Sequence, residues 1–253
     1  MILVGVATRL KPRLDQLIVA RELAESREKA QSLILAGRVL VNGQKLSKCG
    51  ASVDRDAEIR LLGAPSKYAS RAGYKLEGAL AFFGVNPKDK VCMDIGSSTG
   101  GFTDCLVQHG ARKVFAVDVG TNQLDWKLRQ HPRVICIERT NARYLSFEQI
   151  GERVDFVTLD VSFISASLIL PAVPKFLKSG GEVLVLVKPQ FEAGREKVGK
   201  GGVVRDPKVQ QEAVLKVSQK LIELGFSEAR SVESVLPGAC GNREYFVHAM
   251  WPK

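Results

Sequence analysis

"DIGSSTGGFTD", running from Asp94 to Asp104, is the stretch on which the reading of this chain turns. Gly96 to Gly101 hold three glycines, two serines and a threonine, between the apolar run "VCMDIG" (91–96) and a helical run. Glycine lets a backbone turn tightly and approach a ligand closely. The loop is not G-x-G-x-x-G, and it lacks the Gly-Lys-Ser/Thr end of a phosphate loop, so neither a dinucleotide nor a triphosphate grip is present. Asp94, just before the loop, would repel phosphate and suit a cationic, amino-bearing cofactor. Asp118 closes the next strand, where a carboxylate accepts hydrogen bonds from a ribose diol. Acid before the loop, acid after the second strand and no phosphate grip favour S-adenosylmethionine over NAD or ATP. The plainer alternative is an aspartate that only caps a helix.

Outward from this loop, short Val/Ile/Leu-rich runs alternate with helical ones. The predicted strands are 91–96, 113–120, 133–138, 154–162, 182–188, 229–236 and 244–250, with a long helical run from Pro207 to Gly225. Continuous apolar runs suit strands buried on both faces, so the expectation is an α/β fold with a Rossmann-like, mostly parallel seven-stranded sheet. The short "PGACGN" connection leaves room only for an antiparallel pairing of the last two strands, at one edge. Ligands of such a sheet sit beyond the carboxyl ends of its strands.

The first sixty residues have a different texture. Two amphipathic runs, Leu14 to Ala24 and Ser26 to Val39, carry a candidate N-cap at Ser26 and a helix stop at Gly37. "VLVNGQKLS" reads as a hairpin turning at Asn42-Gly43, and "EIRLL" as one more strand. The predicted organisation is a small α+β module over 1–62, a linker over 63–67 and the α/β domain over 68–253.

The formal net charge of +10 over 253 residues points to a polyanionic partner, nucleic acid first. Half of that excess lies in the first fifty residues, which hold nine basic and four acidic side chains. Arg13, Arg27, Lys29, Arg38 and Lys45 are the candidate phosphate contacts there. A second basic segment, "FEAGREKVGKGGVVRDPK", supplies Arg195, Lys197, Lys200 and Arg205 and reads as a mobile lid that orders on RNA. The five cysteines (Cys49, Cys92, Cys105, Cys136, Cys240) form no C-x-x-C pair, which favours free thiols in a reducing, cytoplasmic setting and no metal. The opening "MILVGVA" lacks the basic start and cleavage site of a signal peptide, and no apolar run is long enough to span a bilayer.

Four polar residues gather around the strand ends: Asp160 in "TLDVSFIS", Lys188 in "LVKPQFE", Glu244 in "GNREYF", and Lys75 in "SRAGYKLEGAL", a helix before the first strand. Each alone has a dull explanation as a cap or a solvated strand end. In this order, around a methyl-donor loop, they form a pattern.

"SRAGYKL", "DIGSSTGGFTD", "ERTNAR", "DVSFIS", "LVKPQFE", "GGVVRDP" and "GNREYF" resemble the TlyA family, the hemolysin-named ribosomal RNA 2′-O-methyltransferases, over nearly the whole chain. The resemblance implies an N-terminal S4 RNA-binding domain and an FtsJ-type methyltransferase domain. It carries the catalytic Lys–Asp–Lys–Glu set onto Lys75, Asp160, Lys188 and Glu244. Cofactor contacts would fall on Asp94, Gly96, Ser98, Gly100, Asp118, Asn141, Ala142 and Asp160. Lys188 would take the ribose proton or steady the alkoxide, with Lys75 orienting the ribose and the two acids holding the lysines or the methionine ammonium. The implied substrate is a cytidine ribose in ribosomal RNA. The end of the chain soon after the last strand favours the large-subunit type, with the small subunit as the alternative, and "MILVGVA" departs from the family's usual beginning. A monomer is the default expectation. The rival readings are a cytolysin, a non-catalytic ribosome-assembly factor, and a methyltransferase of small molecules or protein.

Overall fold

The structure is a computed structural model, and it describes residues 11–62, 66–227, 229–238 and 241–253. The "MILVGVA" run, Arg9, linker residues 63–65 and Cys240 lie outside the described residues. The chain divides into two compact units, Met1–Pro65 and Ser66–Lys253.

In the first unit, α1 (Leu14–Ala20) and α2 (Arg27–Leu35) pack over a small sheet of β1 (Val39–Val41), β2 (Gln44–Lys45) and β3 (Ile59–Leu61). Ser26 caps α2, its hydroxyl accepting from the Lys29 amide at 3.2 Å. Asn42 (φ 49°) and Gly43 (φ 79°) make the left-handed turn a two-residue hairpin needs. α1 stops four residues short of the expected Ala24. Glu22 turns left-handed (φ 57°) and the Leu23 amide bonds back to the Ile18 carbonyl at 3.0 Å, which closes the helix end and buries Ala24.

The second unit opens with α3 (Ala72–Phe83), then β4 (Val91–Ile95), α4 (Gly101–Gln108), β5 (Lys113–Val117), α5 (Trp126–Arg129), β6 (Val134–Ile137), α6 (Phe147–Ile150) and β7 (Val154–Leu159). It continues through β8 (Leu177–Val187), α7 (Pro189–Glu192), α8 (Pro207–Glu223), β9 (Arg230–Glu233) and β10 (Tyr245–Met250). The seven strands are ordered β6-β5-β4-β7-β8-β10-β9. The first five are parallel, and β10 runs antiparallel to both β8 and β9. The expected antiparallel pair is therefore present, with the last strand inserted inside the edge rather than forming it.

Period-two alternation sorts the core. Val91, Met93, Ile95, Val157, Leu159, Val183, Val185 and Val187 face one layer, with Ala213, Val217 and Leu221 of α8. Cys92, Phe156, Leu184, Leu186 and Phe246 face the other, against Leu76, Ala79, Leu80 and Phe83 of α3 and Phe102, Cys105 and Leu106 of α4. Continued past the strand ends, the same parity puts Asp160, Lys188 and Glu244 on the side of α3, which carries Lys75. Burial pushes the Cys92 and Cys105 thiols up to about 12, so both are inert core residues.

Candidate active site

Strand order reverses at β4, with β5 and β6 on one side and β7 and β8 on the other. At this switch point, beyond the carboxyl ends, lies a cleft of about 220 Å³. Its walls are Gly96 to Thr99, Gly101 and Phe102 after β4, Asp160 and Ser162 after β7, Lys188 after β8, and Ser70 and Ala72 at the start of α3. Gly96 is left-handed (φ 85°), and a Cβ there would overlap the Asp160 carbonyl oxygen. Gly101 has no room either, because Ser70 Oγ and Ala72 stand against it. The segment before α3 is pinned to α4 by Asp104, whose Oδ2 accepts from the Ala69 amide at 2.8 Å.

Two lysine–carboxylate pairs occupy the α3 side. Lys188 Nζ stands 2.6 Å from Asp160 Oδ1 and donates to Ser162 Oγ at 2.8 Å. The contact with the buried Oδ1 is a direct ion pair. Lys75 Nζ donates to Glu244 Oε2 at 2.5 Å, and this pair is buried, with 8% and 3% of the two side chains exposed. The register places Tyr245 opposite Val187, so Glu244 stands across from Lys188 where the two strands end. Gly238 is required beneath Glu244, since a Cβ there would overlap the carboxylate.

The other expected cofactor residues are distributed around this cleft. Ser98 lines it, and its amide donates to Asp118 Oδ2 at 2.7 Å. The Gly120 amide donates to Asp118 Oδ1 at the same distance, so each carboxylate oxygen keeps a lone pair for a further donor. Gly100 caps α4 behind the cleft wall, against Leu124 and Leu128. Asn141 and Ala142 sit on the turn after β6 and do not line the cleft; Asn141 Oδ1 accepts from the Arg143 amide at 3.1 Å.

Asp94 departs from expectation. It is fully buried, on the α4 side of the sheet like Cys92, and its carboxylate accepts from Thr103 Oγ1 at 2.6 Å and Thr158 Oγ1 at 3.0 Å. It braces β4, β7 and α4 behind the loop. Burial pushes its carboxyl up to about 7, against the pull of the two hydroxyls and with the charge of Asp160 adding to the rise. The folded pKa lies above the ordinary value of 3.8, so stability falls as pH rises from about 4 through about 7. An asparagine can accept from one threonine and donate to the other. Asp94→Asn is therefore expected to melt above the wild type at pH 8, by a few kcal/mol at most, and with it at pH 4. A melting difference that does not change with pH would mean this carboxyl stays in one charge state on folding.

Residues absent from the sequence reading also face this region. Ser70 and Ser162 line the cleft, and both lie inside the motifs already quoted. Phe163, in "DVSFIS", is 92% exposed in a left-handed conformation (φ 65°), its ring 5.4 Å from that of Phe191. An exposed phenylalanine held at positive φ on the turn that carries Asp160 and Ser162 is the kind of strain that collects at functional sites.

A model of the FtsJ-like methyltransferase family matches residues 68–251, and one of the S4 domain matches residues 12–59. The 16S/23S rRNA (cytidine-2′-O)-methyltransferase TlyA of Mycobacterium tuberculosis is 44% identical over 94% of this chain and 89% of its own length. The chain belongs to the TlyA family of FtsJ-like methyltransferases. Another relative, Hemolysin A of Brachyspira hyodysenteriae, is also 44% identical, over 93% of this chain and 98% of its own length. A hemolysin-named structure from Streptococcus thermophilus superposes with a TM-score of 0.75 at 44% identity, covering 96% of this chain and 90% of that one. No helix among the described residues is long and apolar enough to cross a membrane.

Several of the expected RNA contacts in this TlyA-family chain have structural partners. Arg13 Nε and Nη2 each lie 3.0 Å from the buried Asp15 carboxylate, and Arg27 Nε lies 2.9 Å from it. The Arg13 hydrogen bonds lead in holding Asp15 well below the usual carboxylate range. Arg38 Nε donates to the Leu62 carbonyl, and Lys197 pairs with Glu212 at 2.6 Å. Lys45, Lys200 and Arg205 are exposed and Lys29 is half-buried, while the side chain of Arg195 lies outside what is described. The segment read as a mobile lid has its own fold. Asn242, 2% exposed, accepts from the Val204 amide at 2.9 Å and donates to the Gly202 carbonyl at 2.9 Å, and Gln210 bonds the Val204 carbonyl. Gly201 (φ 80°) and Gly202 (φ 75°) are left-handed in the turn of this segment.

Proposed function

We propose that this chain uses S-adenosylmethionine to methylate the ribose 2′-hydroxyl of a cytidine in ribosomal RNA. The observation that carries the reading is the Lys188–Asp160 pair lining a cleft beside the glycine loop, with the buried Lys75–Glu244 pair at the adjoining strand end. The relative from Campylobacter jejuni is named for 23S rRNA and the one from Mycobacterium tuberculosis for both 16S and 23S rRNA, so the large subunit is the substrate common to both names.

The residues present fit the cofactor. Asp160 is a carboxylate at the cleft wall, which suits the methionine ammonium beside the Lys188 ammonium it already meets. Asp118 keeps acceptor capacity for a ribose diol, and Gly96 keeps side chains away from the sulfur end. Asp94 lies too deep for the direct contact first expected of it. Gly100, Asn141 and Ala142 remain assigned to the cofactor through loop shape and the adenine edge. When bound, S-adenosylmethionine supplies an electrophilic methyl group on a positively charged sulfur.

The chain's own groups do the rest. Lys188 meets the 2′-hydroxyl and steadies the negative charge that grows on oxygen as the proton passes to a water molecule. Asp160 and Ser162 fix where that Nζ stands. Lys75, locked by Glu244, adds positive charge behind it. Phe163 offers its open ring to the base, and Phe163→Ala is expected to raise KM for RNA about 10- to 100-fold with little change in cofactor affinity. Arg13, Arg27, Lys29, Arg38 and Lys45 in the S4 unit, and Arg195, Lys197, Lys200 and Arg205 in the other, supply phosphate contacts.

Transfer of labelled methyl to isolated large and small ribosomal subunits tests this. Label on a cytidine ribose of large-subunit RNA is the expected result. Bound cofactor without label on either subunit or on naked RNA would point to an assembly factor instead.

A further inference from the structure

Glu192 has no part in the chemistry above, yet only 2% of its side chain is exposed. It ends α7, the turn that begins directly after Lys188. One carboxylate oxygen accepts from Ser165 Oγ at 2.5 Å and the other from the Ala166 amide at 2.6 Å. Ser165 and Ala166 continue the turn that carries Asp160, Ser162 and Phe163. From a third element, α8, Lys216 Nζ donates to the Glu192 carbonyl at 2.8 Å and lies 3.4 Å from Oε2. A buried carboxylate is costly unless its oxygens are matched by donors, and here every donor comes from a different part of the chain than the acceptor.

We infer that Glu192 is a positioning residue for methyl transfer: it clamps the turn bearing Lys188 to the turn bearing Asp160, Ser162 and Phe163. This rests on the reading of Lys188 and Asp160 as the reaction centre. The other links described between these two turns are the Lys188 contacts with Asp160 and Ser162 and the Phe163–Phe191 ring contact. All of these are at the reacting end. Without Glu192 the groups that meet the substrate would also have to hold their own scaffold together. The clamp takes over that task from a place the substrate does not reach.

Glu192→Gln and Ser165→Ala, made in the full chain, test the clamp. The expected result for Glu192→Gln is faster hydrogen exchange over residues 163–168, by about tenfold or more, with strands β4 to β8 unchanged. kcat should fall about 100-fold, as a displacement near 1 Å allows, while cofactor affinity moves by less than about twofold. Combined with Ser165→Ala, the loss should be smaller than the product of the two single losses, because both cut the same link. Parallel loss of melting temperature, cofactor affinity and kcat would overturn the inference in favour of plain destabilisation. So would faster exchange with unchanged kcat. A wild-type chain that methylates no ribosomal RNA would defeat the functional reading instead; exchange confined to residues 163–168 would then still uphold the clamp.

Discussion

Lys188→Ala is expected to lower methyl transfer by about 10³-fold while S-adenosylmethionine binds as tightly as before or more tightly. The lysine lines the cleft, and its Nζ is held from two sides, by Asp160 and Ser162. Its removal takes away the positive charge at the point where the 2′-oxygen becomes anionic. It also releases Asp160, whose carboxylate then has only the cofactor's ammonium to neutralise it. Equal losses in kcat and kcat/KM would mark an interaction made only in the transition state. Lys188→Arg should recover only part of the rate, since a planar guanidinium cannot put a point charge where Nζ stood. Calorimetry for the cofactor beside single-turnover methyl transfer measures both halves. A variant that keeps full rate would remove Lys188 from the mechanism.

The Lys75–Glu244 pair gives the second large effect, and it separates stability from catalysis. Glu244→Ala leaves a buried ammonium without its partner and should cost about 3–5 kcal/mol. Lys75→Met strands the carboxylate in the same way. Joint replacement, Lys75→Met with Glu244→Leu, removes both buried charges and should regain most of that stability, because well-packed apolar groups often match a buried pair. Methyl transfer should stay absent in all three. Recovery of activity along with stability would show that the pair is only a brace. Denaturant unfolding and the labelled-methyl assay on the same three proteins decide between these outcomes.

Three layers of contact converge on this one strand edge. Asp94 braces the glycine loop from beneath, Glu244 locks Lys75 from the far strand, and Glu192 ties the turn after β8 to the turn after β7. The motifs suggest roles for Asp94 and Glu244 and none for Glu192. The burial of Asp94 is legible in its strand. Cys92 and Asp94 share a parity, so whatever α4 covers at Cys92 it also covers at Asp94. Glu192 carried no such signal, because its donors arrive from turns whose shape nothing local specifies.

Much was determined by the order of residues alone. Alternation of apolar strands and helices dictated the parallel sheet. The Asn42-Gly43 pair dictated its hairpin, and Ser26 its helix start. The glycine loop excluded phosphate grips, and the parity of Asp160, Lys188 and Glu244 put them on one side. These are local or periodic properties, set by backbone sterics and by which face must be buried. The tertiary structure decided the rest. The start of β8 at Leu177 reads as a loop in "KSGG", and it becomes strand through pairing with β7 and a Trp251 amide on the Gly181 carbonyl. The insertion of β10 between β8 and β9 brings Glu244 to Lys75, a partner 169 residues away. A contact that distant has no periodicity to betray it, because the attraction that offsets the desolvation of the two charges exists only once the closed fold brings them together.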